Sequence, residues 1–252
     1  AMGWDVPTFA HIPLIHGPDG AKLSKRHGAL GVDSYRDEMG FLPEAVNNYL
    51  LRLGWGHGDD EVISQEQAIE WFDIKDVGKG AARFDFAKLT NLNGIYMRQA
   101  DDKRLVDEIS QRVAAIIGTD AIDAAQKEIL INGMSGLKER AKTLIELAES
   151  SAFYVTDGVL SVNEKAQSLI DSAPEGLFAE LANSLEALES WTEENVDACV
   201  RATAEKLDLK LGKVAQPLRA VLTGSNSSPG IFEVMIVLGK EQTLKRIRHF
   251  DA

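Results

Sequence analysis

From Pro43 onward apolar side chains return every three to four residues in one stripe after another, and almost no stretch alternates with the period of two that a half-buried strand needs. A chain patterned this way buries its apolar surface by packing helix on helix. Val46, Tyr49, Leu50 and Leu53 follow Pro43, which a first helical turn tolerates, and Gly54 closes that helix. Ser64 and Gln67 have capping-box spacing ahead of Ile69 and Phe72. Asp101 opens a helix striped by Leu105, Ile109, Val113 and Ile116 and ended by Gly118. Further stripes run through Leu137, Ala141, Leu144, Ile145 and Ala148, and through Leu177, Leu181, Leu185 and Leu188, the latter capped by Ser172 with Glu175. Thr192 caps a helix through Val196, Val200 and Leu207. Leu218, Val221 and Leu222 lead to Gly224, and Ile231, Val234, Met235 and Leu238 lead to Gly239. The expected fold class is mainly all-α, a rod or set of helical bundles, with the strand-like stretch Phe9 to Ile15 as a short β remnant at the N-terminus. The Ser/Asp/Gly-rich stretch from Ser150 to Ser161 is the candidate linker.

The net charge of −12 argues against a polyanionic partner until its distribution is considered. Residues 1–100 carry 10 basic and 14 acidic side chains, 101–200 carry 8 and 20, and 201–252 carry 9 and 5. Charges beyond a Debye length of about 8 Å are largely screened, so a local basic face permits RNA binding on an acidic chain. No apolar run, that through Met235 to Leu238 included, is long enough to cross a bilayer, and no signal peptide is recognisable. The single cysteine, Cys199, falls on the apolar face of a helix and reads as a buried cytosolic thiol. Ala1-Met2 reads as a cloning remnant ahead of an uncapped start at Gly3-Trp4, so a designed fragment is expected.

Lys22-Leu23-Ser24-Lys25-Arg26 follows a strand-like stretch and the turn His16 to Gly20. Three cations in five residues suit a polyphosphate, because lysine ammonium groups can follow charge as it develops on a leaving pyrophosphate. Taken alone, the run reads as a solvated basic loop, and its spelling excludes a Walker-type loop, since Lys22 is not preceded by Gly nor followed by Ser or Thr.

In context, Phe9-Ala10-His11-Ile12-Pro13-Leu14-Ile15, Asp19-Gly20-Ala21, the basic run and His27-Gly28-Ala29 together resemble the second signature of class I aminoacyl-tRNA synthetases in its bacterial glutamyl form. Phe84-Asp85-Phe86-Ala87-Lys88-Leu89 and Asn93-Gly94-Ile95-Tyr96-Met97-Arg98 resemble that family's stem-contact segment, with Asn91 where Trp is common. Phe84, Phe86, Leu89 and Tyr96 read as core, while Lys88 and Arg98 are candidates either for the tRNA inner-elbow backbone or for exposed salt bridges. Gly212-Lys213, Pro217 to Ala220, Leu222 to Gly224, Ser228 to Glu233 and Leu238 to Glu241 resemble its C-terminal anticodon-binding subdomain. Leu137 to Leu144 resembles the segment that reads the last anticodon base, with Arg140 and Lys142 as alternative readers.

The resemblance implies a parent enzyme that activates glutamate with ATP and Mg²⁺ and joins it to tRNA. It assigns catalysis to Lys25 and Lys22, ATP binding to Lys22, Ser24, Lys25 and Arg26, and anticodon binding to Arg140, Lys142, Arg219, Ser228, Pro229 and Ile231, with no protein metal site. A flat apolar surface and exposed helix N–H donors beside Ser228 to Ile231 would suit splayed bases. Three domains are expected: residues 1–100 with the basic loop and stem-contact helices, and two anticodon-binding subdomains, 101–170 and 171–252. The chain is expected to be a cytoplasmic monomer that binds tRNA for glutamate, with tRNA for glutamine left open, and that does not catalyse alone, because the family's first signature is absent. The rivals are a stand-alone tRNA-binding module, a glutaminyl enzyme, against which the helical tail argues, and a helical interaction scaffold.

Overall fold

The computed structural model describes residues 2–23, 31–158 and 160–250, which divide into two compact units, Ala1–Gln99 and Ala100–Ala252. In the first, β1 (Ile15–His16) pairs in parallel with β2 (Ala82–Arg83), and α1 (Val32–Asp37), α2 (Pro43–Arg52), α3 (Gln65–Trp71) and α4 (Phe86–Gln99) complete the unit. Tyr35, Phe41, Val46, Tyr49, Phe84 and Leu89 form its core. Two buried amides fasten loops to it: Asn93 Oδ1 accepts from Leu42 N at 2.8 Å, and Asn48 Oδ1 accepts from Ile63 N at 2.6 Å. Each offsets the desolvation of a backbone N–H that burial would otherwise leave unpaired. The mainly helical reading holds, and the β content shrinks to two short strands among the described residues. Of the expected strand Phe9 to Ile15 only Ile15 is in β1, whose pairing with β2 is two residues long.

The second unit contains α5 (Asp102–Ile117), α6 (Ala124–Lys138), α7 (Leu144–Ser151), α8 (Glu164–Asp171), α9 (Leu177–Glu186), α10 (Glu193–Lys206), α11 (Leu211–Thr223) and α12 (Ile231–His249). Asp101 caps α5 through Arg104 N, Gly118 ends it at φ 77°, and Thr192 caps α10. Leu177, Leu181, Leu185, Val196, Val200, Val214, Leu218, Val221, Met235 and Ile247 meet in one core from four helices. The expected boundary at residue 170 falls within α8, which packs on α11.

Several local expectations are corrected. The Ser64–Gln67 capping box forms, yet α3 buries nothing fully and Ile69 stays 73% exposed. Leu50, Phe72 and Ile116 are exposed as well, at the margins of stripes wider than the surfaces that cover them. The stripe from Leu137 to Ala148 is two helices, interrupted after Lys138 and restarted where Thr143 Oγ1 accepts from Glu146 N. Ser172 closes α8 rather than capping the next helix, and Gly176, at φ 74°, opens α9 without a side-chain cap. Gly239, at φ 75° and ψ 167°, does end the helix that starts at Ile231, and a second, basic helical segment follows it to His249 within the span labelled α12. Ser150 to Ser161 is no linker: Phe153, Tyr154, Val155 and Leu160 are buried, and the buried Arg246 donates to Phe153 O (2.7 Å), Thr156 O (3.2 Å) and Leu222 O (2.6 Å). Burial lowers the Arg246 pKa to about 10, so it stays charged at neutral pH while holding three carbonyls of two backbone segments. Cys199 is half-buried against the core, and burial raises its thiol pKa.

Candidate nucleic-acid interface

Gly17 N donates to Ala21 O and Leu23 N to Ile15 O, so a closed turn delivers Lys22, exposed and bridged to His16, to the basic run. Ser24, Lys25 and Arg26 lie outside the described residues, as do His27 to Ala29. Lys88 lines a cleft of about 390 Å³ with Arg52, Arg83 and Asn91, in which Arg52 is 3.6 Å from Glu61. Arg98 is half-buried in the last turn of α4. Phe84 and Leu89 are core, Phe86 packs on it, and Tyr96 donates to Ile63 O at 3.0 Å.

In the second unit the structure brings together two segments that the sequence keeps far apart. α6 ends at Lys138, and the turn before α7 carries Arg140 and Lys142, both exposed. α11 ends at Gly224, and the loop to α12 carries Ser228 and Pro229. Arg219, half-buried near the end of α11, donates through Nε to Ser228 Oγ at 2.9 Å, and that hydroxyl donates to Pro229 O at 2.9 Å. Burial lowers the pKa of Arg219, and the nearby charge of Arg140 lowers it further. Two like charges are thus held close together, and among the described residues neither has a carboxylate ion pair. Such an arrangement is unfavourable in the free protein and favours a bound anion or acceptor-rich ligand.

Pro229 and Ile231 are buried, so they shape the loop and the start of α12 instead of offering the expected flat apolar surface. Ile231 belongs to the core with Leu218 and Met235, while Gly230 and Ser227 are exposed. Lys142 N donates to Glu146 Oε2 at 2.7 Å, which orders the turn that also presents Arg140.

Three residues around this surface escaped the sequence reading. Gly133 and Gly136 lie in the second half of α6, where a Cβ on the first would be 2.8 Å from Tyr154 Cε2 and one on the second 2.8 Å from Glu233 Oε2. Tyr154 is buried with its hydroxyl unpartnered among the described residues, and its pKa is raised by burial and then by Glu233. Two glycines inside a helical stripe were the available signal, since such glycines often mark close approach. Among the described residues no group of three metal-ligating side chains occurs, and no helix is long and apolar enough to cross a membrane.

Comparison with known proteins places these features in context. Residues 99–250 match the family described as "Anticodon binding domain", and residues 1–91 match "tRNA synthetases class I (E and Q), catalytic domain". Glutamate–tRNA ligase 1 of Sphingopyxis alaskensis is 56% identical over 257 residues, covering 100% of this chain and 52% of that protein. Glutamate–tRNA ligase 2 of Rhizorhabdus wittichii is 57% identical over 247 residues, covering 98% and 52%. A crystal structure of a glutamate tRNA ligase from Elizabethkingia meningosepticum, in complex with its amino acid, superposes with a TM-score of 0.81 at 31% identity, over 99% of this chain and 52% of that one. The chain spans about half the length of the curated relatives it matches.

Proposed function

This chain belongs to the glutamate–tRNA ligase family, and from that premise we propose that it serves as the tRNA-reading part of such a ligase. The whole enzyme activates glutamate with ATP and transfers it to the 3′ end of tRNA in the cytoplasm, working as a monomer. ATP supplies the adenylyl group, with Mg²⁺ carried on its phosphates, as that ion usually is. Lys22, Ser24, Lys25 and Arg26 hold those phosphates, and Lys25 and Lys22 stabilise the charge that develops on pyrophosphate. Lys88, beside Arg52 and Arg83, and Arg98 meet the tRNA stem backbone. Residues 101–170 and 171–252 act as two anticodon-binding subdomains.

The observation that carries the reading is Arg219, half-buried at the end of α11 and held to Ser228 Oγ at 2.9 Å, with the charge of Arg140 in its neighbourhood. Arg219 is fixed through Ser228, so its fork is oriented for a base edge instead of sweeping the solvent. Ser228, Pro229 and Ile231 hold the loop in register. Arg140 and Lys142, exposed on the turn before α7, supply further positive charge. RNA single strands are read by edge hydrogen bonds and stacking, which this surface can provide.

The test is a double difference. Arg219→Ala should weaken binding of a tRNA with the glutamate anticodon by about 1–3 kcal/mol and that of a tRNA with an altered anticodon much less. Equal weakening of both, measured by filter binding at one salt concentration, would reassign Arg219 to the backbone. Assayed alone, the chain should show no glutamate-dependent pyrophosphate exchange. In a chain that also carries the relatives' first half, Lys25→Ala should slow activation far more than it alters tRNA affinity.

A further inference from the structure

Lys88, Asn91, Leu92 and Ile95 recur every three to four residues along α4 and so share one face of that helix, and Tyr49, Arg52 and Leu53 do the same at the end of α2. The two helices pack together, and these faces, with Ala82 and Arg83 of β2, line one cleft of about 390 Å³. Glu61 joins the wall, its backbone oxygen accepting from Asn48 Nδ2 at 2.9 Å. Tyr49 is buried and Leu53, Leu92 and Ile95 are half-buried, so the floor is apolar, whereas Arg83, Lys88 and Asn91 are exposed at the rim. Arg83 and Lys88 form no ion pair among the described residues, and the one carboxylate present, on Glu61, is 3.6 Å from Arg52 and largely in solvent. The Tyr49 hydroxyl accepts from Asp85 N at 2.6 Å, and among the described residues its own proton has no acceptor. Cations on an exposed rim would suffice to meet the phosphates of a stem. They leave unexplained a hollow with an apolar floor and a buried donor, whose volume lies within the range of about 300–1,000 Å³ found for pockets that take small organic ligands.

We propose that this cleft receives one unpaired nucleotide of the tRNA from outside the anticodon loop, its base against Tyr49, Leu53, Leu92 and Ile95 and its phosphate among Arg52, Arg83 and Lys88. The inference rests on the stem-contact role given above to Lys88, Arg52 and Arg83, and it names what the site between them takes. Unpaired bases in loops and bulges can be splayed out of an RNA helix, and proteins that recognise RNA target them for that reason. A base is a flat disc with apolar faces and polar edges. The floor supplies apolar contact for the faces, while Asn91 and the Tyr49 hydroxyl supply polar groups for the edges. Three cations against one carboxylate give the cleft the net positive charge that a phosphodiester needs.

The experiment measures filter binding of the whole chain to transcripts of the tRNA for glutamate in which each unpaired nucleotide outside the anticodon loop is replaced, one at a time, by an abasic one. Wild-type affinity should fall by about 5- to 100-fold at one position, the effect of losing a base that a protein holds. Asn91→Trp fills the cleft with the residue common at that place in the family. It should bind the intact transcript as weakly as the wild type binds the sensitive abasic one, and should lose nothing further when that base is removed. The double difference separates a base lost from the cleft from damage to the RNA, which would weaken both chains alike. Ile95→Phe fills the cleft from its floor and should give the same double difference, so the comparison does not depend on one variant folding, which thermal midpoints check. Lys88→Gln should weaken every transcript about equally and reduce the log–log salt slope by about 0.7–0.9. If no position loses more than about twofold, or if the losses are equal in the wild type and both filled variants, the nucleotide assignment is overturned while a weakened Lys88→Gln keeps the stem contact standing. Unchanged affinity and slope in Lys88→Gln would remove the stem-contact reading, and this inference with it.

Discussion

Gly224→Ala isolates one contact that fixes the end of α11 against the segment before α8. Gly224 ends α11 at φ 69°, a left-handed conformation that costs an alanine about 1 kcal/mol. A Cβ there would also collide with Ser161 O and stand 3.3 Å from Ser161 C and 3.6 Å from Leu160 Cβ. The obstacle is backbone and cannot rotate aside, so relief requires moving the segment that Asn163 N ties to Gly224 O at 2.9 Å. Overpacking of this kind costs about 1–3 kcal/mol, and opening that hydrogen bond adds about 1. The sum is about 3–5 kcal/mol. Gly118 supplies the internal control, because it ends α5 at φ 77° and a Cβ added there would meet nothing within 4 Å. Gly118→Ala should therefore cost only the conformational term, about 1 kcal/mol. Urea unfolding followed by far-UV circular dichroism, with matched slopes, reads both values. Equal losses from the two substitutions would show that the Ser161 contact carries no energy and would refute the reasoning.

Arg246→Met should destabilise the second unit by about 2–4 kcal/mol, since it strands three backbone carbonyls, and Arg246→Lys should recover only part of that; the same unfolding assay decides. Removing the charges of Arg140 and Lys142 together should weaken tRNA binding, whereas neutralising Glu186 and Glu189 should leave discrimination between tRNAs unchanged, and equal effects in filter binding would deny the turn a reading role. Asn93→Leu should cost about 1–3 kcal/mol in thermal unfolding because Leu42 N would lose its buried acceptor.

How much of this was legible depended on whether a feature is local. The caps at Ser64, Asp101 and Thr192 and the stop at Gly118 are decided within a turn of chain, and the sequence displays them fully. Ser172 misled because Pro174 and Gly176 place a turn between it and the helix it was expected to cap, so a good cap spelling was used for ending α8. The stop at Gly239 was legible too, its φ of 75° breaking the helix there, but nothing in the sequence says that a second helical segment follows at once. The linker reading of Ser150 to Ser161 failed for a tertiary reason: its polar composition conceals backbone carbonyls that Arg246, far along the chain, satisfies. The candidate readers were named from motif resemblance, yet their meeting depends on α6 packing against α12, which periodicity does not encode.

The charge pairing also explains how an acidic chain can leave a positive patch exposed. In the second unit acidic groups engage many of the cations directly: Asp102 with Lys138, Asp107 with Lys127, Asp197 with Arg201, Glu180 with Lys206 and Glu186 with Arg248. These pairs are mostly exposed and add little stability, but they leave less positive charge for phosphate to find. Arg140 and Arg219 are different in kind, being close to each other and outside every such pair among the described residues. At physiological salt the attraction felt by a phosphate or a base is set within about 8 Å, so the acids elsewhere hardly weaken it. The net charge of −12 then acts as a repulsive background over most of the surface, and the uncompensated arginines define where a polyanion can approach. Local pairing, rather than overall charge, decides where this chain can meet its ligand.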